Sequence, residues 1–162
     1  MDRAGAFAAA MTMSLGFPVE VASSPAAAAA EAQILVTTTP STQPLVTSDS
    51  LHPGLHVTAI GSDTEHKREL DADVLRVADL VVCDHRGQSE RLGELRGAIA
   101  DGFDPAGVIE LGDVIAGRVP GRPSADATTV CDLTGTGAQD TAIATLAVAR
   151  CVETGVGTRV EV

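Results

Sequence analysis

HVTAIGSDTEHKREL, residues 56–70, is the stretch from which the rest of this chain can be read. It opens as an apolar, β-branched strand and stops at Gly61 and Ser62. Asp63, Glu65, His66, Lys67, Arg68 and Glu69 then crowd into seven residues, and Lys67 is the only lysine in the chain. The same grammar recurs on either side. QILVTTT (33–39) is a near-continuous β-branched run ended by Pro40 and Ser41; LVVCD (80–84) and TTVCDL (128–133) are two more. PVEVAS (18–23) reads as a further short strand.

Helices are expected between these runs. Residues 4–15 form an Ala-rich helix ended by Gly16, not a signal peptide, because no basic segment precedes a strongly apolar one. Ser24 and Pro25 open a second helix through Ala32, with Ser24 as its cap and Pro25 in its first turn. Further helices are expected over 71–78, 88–101, 108–116 and 139–151, and the chain closes with the tail GTRVEV. Strands apolar on both faces and separated by helices are the pattern of a parallel sheet covered on both sides. The fold class is therefore α/β: one domain, a doubly wound parallel sheet with a long carboxyl-terminal helix. In such sheets ligands bind beyond the carboxyl ends of the strands. TTTPS, IGSD, CDHR and DLTGTG all fall there.

Composition narrows the function classes. The chain has 162 residues and a formal charge of −11, from 22 acids against ten arginines and the single lysine. That balance argues against nucleic acid or an anionic membrane surface as a partner, since both need a basic face. With no apolar run long enough to span a membrane, a cytoplasmic protein is expected. Cys83, Cys131 and Cys151 have no metal-ligand or disulfide spacing, so no metal site is assigned. Cys83 and Cys131 read as small buried residues of strands.

Within the 59–70 stretch, Glu65, His66 and Glu69 read as a solvated turn, with Glu69 starting a helix. Asp63, immediately after Gly-Ser at a strand end, reads as functional. Asp84 reads as a helix-capping or loop-ordering residue. GTGAQD (135–140) places glycines before a helix, but no βα unit follows and no ribose-binding acid lies about twenty residues on. It reads as a tight turn and helix start. No glycine-rich dinucleotide turn occurs elsewhere.

Four stretches, in order, carry a family likeness: ILVTTTPSTQPLV (34–46), LHPGLHVTAIGSDTEHKREL (51–70), VIELGDVIAGRVPGRPS (108–124) and TTVCDLTGTGAQDTAIATLA (128–147). With them the sequence resembles the ornithine cyclodeaminase/mu-crystallin family. GSDTEHKREL and DLTGTGAQDTAIA look most like its ectoine-utilisation (EutC) branch, which acts on a diamino acid such as 2,4-diaminobutyrate. The resemblance implies a partial Rossmann-type NAD domain. The glycine-rich first βαβ unit and the substrate and dimer domain of the family precede the matching segment. It implies NAD as cofactor, a small amino acid as substrate and a homodimer. Asp63 matches the family's catalytic acid. Thr38, Thr39, Pro40 and Ser41 match the loop that passes the cofactor, Gly61 and Ser62 line the same edge, and Lys67 matches a recurring lysine of structural or cofactor-edge role. Two alternatives stay open: a single-step alanine dehydrogenase or imine reductase, and a non-catalytic fragment or mu-crystallin-like binding protein.

Overall fold

The computed structural model describes residues 3–158 and 160; the other residues of the expected tail lie outside the described residues. Five strands form one sheet: β1 (Ile34–Thr37), β2 (His56–Ala59), β3 (Leu80–Cys83), β4 (Ile109–Glu110) and β5 (Thr129–Asp132). All neighbours are parallel and the order is β1-β2-β5-β3-β4. The chain advances from β1 to β4 in one direction, and β5 returns to insert between β2 and β3. Val57 and Val81 both pair with Val130, and Ala59 and Cys83 both pair with Asp132, so these side chains share a face. Against that face lie Val74 and Leu75 of α3 (Ala72–Val77) and Leu95 and Ala98 of α5 (Gly93–Ala100). Burying one such Val or Leu contributes about 1.5–3 kcal/mol, and this cluster is the core.

The other elements lie around this layer. α1 (Arg3–Leu15) and α2 (Pro25–Glu31) precede β1, and the Ser24 hydroxyl caps α2 by accepting from Ala27 N–H. α4 (Arg86–Ser89) follows β3, α6 (Leu111–Ile115) follows β4, and α7 (Gly137–Thr154) follows β5. α7 is the expected long helix, extended by a turn.

Three expectations fail locally. Residues 18–22 form no strand: the sheet ends at β1, so they have no ladder partner, and Val19 N–H donates instead to the Thr12 hydroxyl. The helix expected over 88–101 is two helices, broken at Gly93, whose φ of +72° is open to glycine and strained for other residues. The helix expected over 108–116 starts at Leu111, because Ile109 and Glu110 pair with Val82 and Cys83. The second face of the sheet is also less covered than expected: Ile34 and Val36 of β1 stay exposed.

Candidate functional site at the carboxyl edge of the sheet

Because all strands are parallel, their carboxyl ends share one edge. Thr38–Ser41 follow β1, Gly61–Asp63 follow β2, Asp84 follows β3 and Thr134 follows β5. The sequence places these residues together, and so does the fold.

What ties the first two loops is a residue the sequence reading set aside. Glu65 and His66 are exposed as expected, but Glu69 is 0% exposed and starts no helix, since α3 opens after the Asp71 cap. One oxygen of its carboxylate, Oε2, accepts from the Thr37 hydroxyl at 2.6 Å and from Gly61 N–H at 2.9 Å. The other, Oε1, accepts from Thr39 N–H at 2.5 Å. Burial of a carboxylate is costly unless such partners surround it, and here they do. The fit is tight enough to dictate Gly61. A Cβ there would sit 2.3 Å from the Thr39 carbonyl oxygen and 2.5 Å from Glu69 Oε1.

Two more buried acids continue the stitching. Glu94 accepts from the backbone N–H groups of Glu69 at 2.8 Å and Leu70 at 2.9 Å. Asp132, the last residue of β5, accepts from Glu94 N–H at 3.1 Å and Leu95 N–H at 2.9 Å, the opening amides of α5. Burial pushes the Asp132 carboxyl up to about 7, while the Leu95 and Glu94 amides pull it back. Burial likewise raises Glu94, against the Leu70 and Glu69 amides. Asp84 orders the next loop: it accepts from Thr134 N–H, Gly135 N–H and His85 N–H. With Thr136 N–H donating to Gln139 in a capping box, the GTG turn is a tight turn and helix start.

Asp63 stands outside this buried lattice. Its side chain is 54% exposed and pairs with Lys67 Nζ at 2.6 Å. The hydrogen bond from Lys67 holds the Asp63 carboxyl below its ordinary value, so the group is ionised at neutral pH. Ser62 is buried and its hydroxyl donates to the Lys67 carbonyl at 2.7 Å. Thr38 and Pro40 are exposed; Thr39 and Ser41 are half-buried, and Ser41 N–H donates to the Thr39 hydroxyl. The edge thus presents the ionised Asp63 carboxylate and a short polar loop to solvent, on a base fixed by buried acids. Cys83 and Cys131 are no part of it. Burial raises their thiols to about 12 and about 11, which leaves them protonated and unreactive. Among the described residues no cluster of three His, Cys, Asp or Glu side chains is placed to hold a metal ion, and no helix is long and apolar enough to cross a membrane.

Residues 2–155 match the ornithine cyclodeaminase/mu-crystallin family, and the chain belongs to it. A putative dehydrogenase of Rhizobium meliloti is 51% identical over 164 residues, spanning 99% of this chain and 50% of its own length. The iminosuccinate reductase of Paracoccus denitrificans, solved in complex with NAD+, superposes with a TM-score of 0.83 at 37% identity, over 95% of this chain and 47% of its own. A lysine cyclodeaminase, solved to show recognition of L-lysine, L-ornithine and L-2,4-diaminobutyric acid, superposes with a TM-score of 0.80 at 27% identity. It is matched over all of this chain and 47% of its own. The chain therefore spans about half the length of these relatives.

Proposed function

We propose that this chain forms the nicotinamide side of an NAD-dependent enzyme that exchanges a hydride with the α-carbon of a small amino acid. The observation that carries the reading is the exposed, ionised Asp63, two residues past Gly61, on a loop whose Glu69 carboxylate also bonds Thr39 of the β1 loop at the carboxyl edge. The residues present suit that end of the cofactor. The Thr38 hydroxyl has no hydrogen-bond partner among the described residues, and Pro40 is exposed. The amides of Thr134, Gly135 and Thr136 are engaged by Asp84 and Gln139, so the GTG turn does not suit a pyrophosphate. Thr38, Thr39, Pro40, Ser41, Gly61 and Ser62 would line the nicotinamide edge, and Lys67 would hold Asp63 in place from one side.

Bound NAD supplies a hydride acceptor for the α-carbon. The chain's own part is electrostatic and protonic. An ionised Asp63 faces the cationic ammonium or iminium of the substrate, stabilises it, and takes the proton released as water or the substrate's distal amine attacks. For the substrate we favour a diamino acid such as 2,4-diaminobutyrate, in ectoine breakdown, supported by the GSDTEHKREL and DLTGTGAQDTAIA motifs and by the lysine cyclodeaminase likeness. A single reductive step on an imine is the second reading, favoured by the higher identity to iminosuccinate reductase. In either case the working form is a dimer in the cytoplasm.

The test joins the chain behind the half of the Rhizobium meliloti relative that it does not cover. 2,4-Diaminobutyrate, L-alanine and Δ1-pyrroline-2-carboxylate are offered with NAD+ or NADH. Ammonia released from 2,4-diaminobutyrate without net NADH identifies cyclodeamination; net NADH turnover with the other two identifies the single-step reading. No turnover with any of them sinks both.

A further inference from the structure

We propose that Glu69 is the positioning residue of this edge: its buried carboxylate sets the spacing between the β1 and β2 loops and so fixes Asp63 relative to Thr38 and Thr39. This rests on the reading of these loops given above. Neither loop is long, and each is anchored to its own strand. What must be fixed is their relative place, and Glu69 bonds to both: Thr37 and Thr39 on one, Gly61 on the other. Thr37 and Thr39 lie 32 and 30 residues away in sequence, so those bonds are tertiary, while Gly61, 8 residues away, stands at the head of Glu69's own loop; the carboxylate therefore joins that loop to the β1 loop. Gly61 lacks a Cβ where this carboxylate and the Thr39 carbonyl are the nearest atoms it would meet. Glu69 is in turn held from behind, since its own N–H donates to Glu94 and its carbonyl accepts from Leu45 and Val46. Asp63 lies two residues past Gly61, so a shift of that amide is passed directly to the carboxylate that faces the substrate. Glu69 itself is fully buried, so it acts through the loops it holds.

Glu69→Gln keeps the shape of the side chain. Gln can still accept from Thr39 N–H, and the Thr37 hydroxyl can turn to accept from its amide. Gly61 N–H, however, is left facing an NH2 group. Two measurements separate clamp from consequence. In the 162-residue chain, amide hydrogen exchange followed by NMR should quicken at least about tenfold at Thr39 and Gly61, while Val57 and Val130 keep their protection. In the joined protein used above, kcat at saturating cofactor and substrate should fall by about 10²-fold, the scale of a small misplacement of reacting groups. Val74→Ala, a core change at a residue that makes none of the hydrogen bonds to Glu69, supplies the comparison at equal folded fraction and should keep kcat. If Glu69→Gln does not fold, Thr37→Val removes one donor to the same carboxylate without altering Thr38–Ser41, Gly61, Ser62 or Asp63. It should give the same pattern in smaller measure. Unchanged exchange at Thr39 and Gly61, or a kcat within about twofold of Val74→Ala, overturns the proposal. A joined wild-type protein with no activity overturns the functional reading as well, whereas an active wild type indifferent to Glu69→Gln overturns this inference alone.

Discussion

At the carboxyl edge three acids lie inside the protein, and each accepts hydrogen bonds from at least two donors: Glu69, Glu94 and Asp132. Beyond β5 the situation reverses. α7 runs for 18 residues with none buried, and Ile143, Leu146, Val148 and Val152 all face solvent. Polar groups are enclosed where apolar ones are expected, and apolar groups are exposed where polar ones are expected. The edge is internally complete, because its carboxylates hold loops that would otherwise have no fixed relation. α7 gains little from the rest of the described chain and carries apolar side chains suited to being covered. Stability should therefore be concentrated in the layer beneath the edge and nearly absent from α7.

The sharpest way to break this contrast is one substitution made twice. Leu95→Ala, at a fully buried position of α5, should cost about 2–5 kcal/mol in denaturant unfolding. Leu146→Ala, at a position 53% exposed on α7, should fall within about 0.5 kcal/mol of wild type. Comparable losses at the two sites would mean that α7 packs on the body in solution.

Glu94→Gln addresses the buried acids themselves. One of the Glu69 and Leu70 amides would then face an NH2 group, at a cost of about 1–3 kcal/mol in the same unfolding experiment. A neutral outcome would mean that the carboxylates tolerate loss of charge and do not order the edge.

The smallest effect is a slope. Unfolded, Asp132 ionises near 3.8; folded, it keeps its proton to about 7. Between those values the folded state binds more protons than the unfolded one, so this group favours the fold most at the acid end. Its contribution is lost as pH rises to about 7, and Glu94, also raised, acts in the same direction. The lowered, exposed Asp63 works weakly the other way: its contribution is lost as pH falls through its folded value. Thermal midpoints of Asp132→Asn, compared with wild type across pH 4–7, should show a shallower decline with rising pH. An unchanged slope would place the titration elsewhere.

Much of this was legible in the sequence because it is local. ILVT, HVTA, LVVC and TVCD are apolar, β-branched runs stopped by polar residues, and they form the four longest strands. The Ser24 cap, Asp71 at the start of α3 and the turn role of GTGAQD are also short-range patterns. What escaped was settled at long range. PVEVAS has strand composition but no neighbour to pair with. Gly93 breaks a helical stretch because Asp132, 38 residues beyond Glu94, captures the amides of Glu94 and Leu95 that follow it. Glu69 sits among five other ionisable residues, and a solvated turn accounts for all of them locally. Only its partners Thr37 and Thr39, up to 32 residues away, together with Gly61 at the head of its own loop, draw it inside. The nearest sequence signal is Leu70, an apolar residue directly behind it that marks the turn's return to the core.

The central claim is that the buried acids hold Asp63 at an edge where it meets the substrate. Its most direct test is Asp63→Asn in the chain joined to the half its relative supplies, with Asp84→Asn as comparison, both read as kcat at equal folded fraction. Asn nearly preserves the shape and can still bond to Lys67, but it neither carries the charge nor accepts a proton at neutral pH. Cofactor affinity should be nearly unchanged while turnover drops by about 10²–10⁴-fold, as expected for loss of a general acid/base. Asp84→Asn, which loosens the Thr134 turn, should leave kcat close to wild type. An Asp63→Asn protein that keeps more than about a tenth of wild-type kcat would contradict the assignment of this carboxylate to the chemistry.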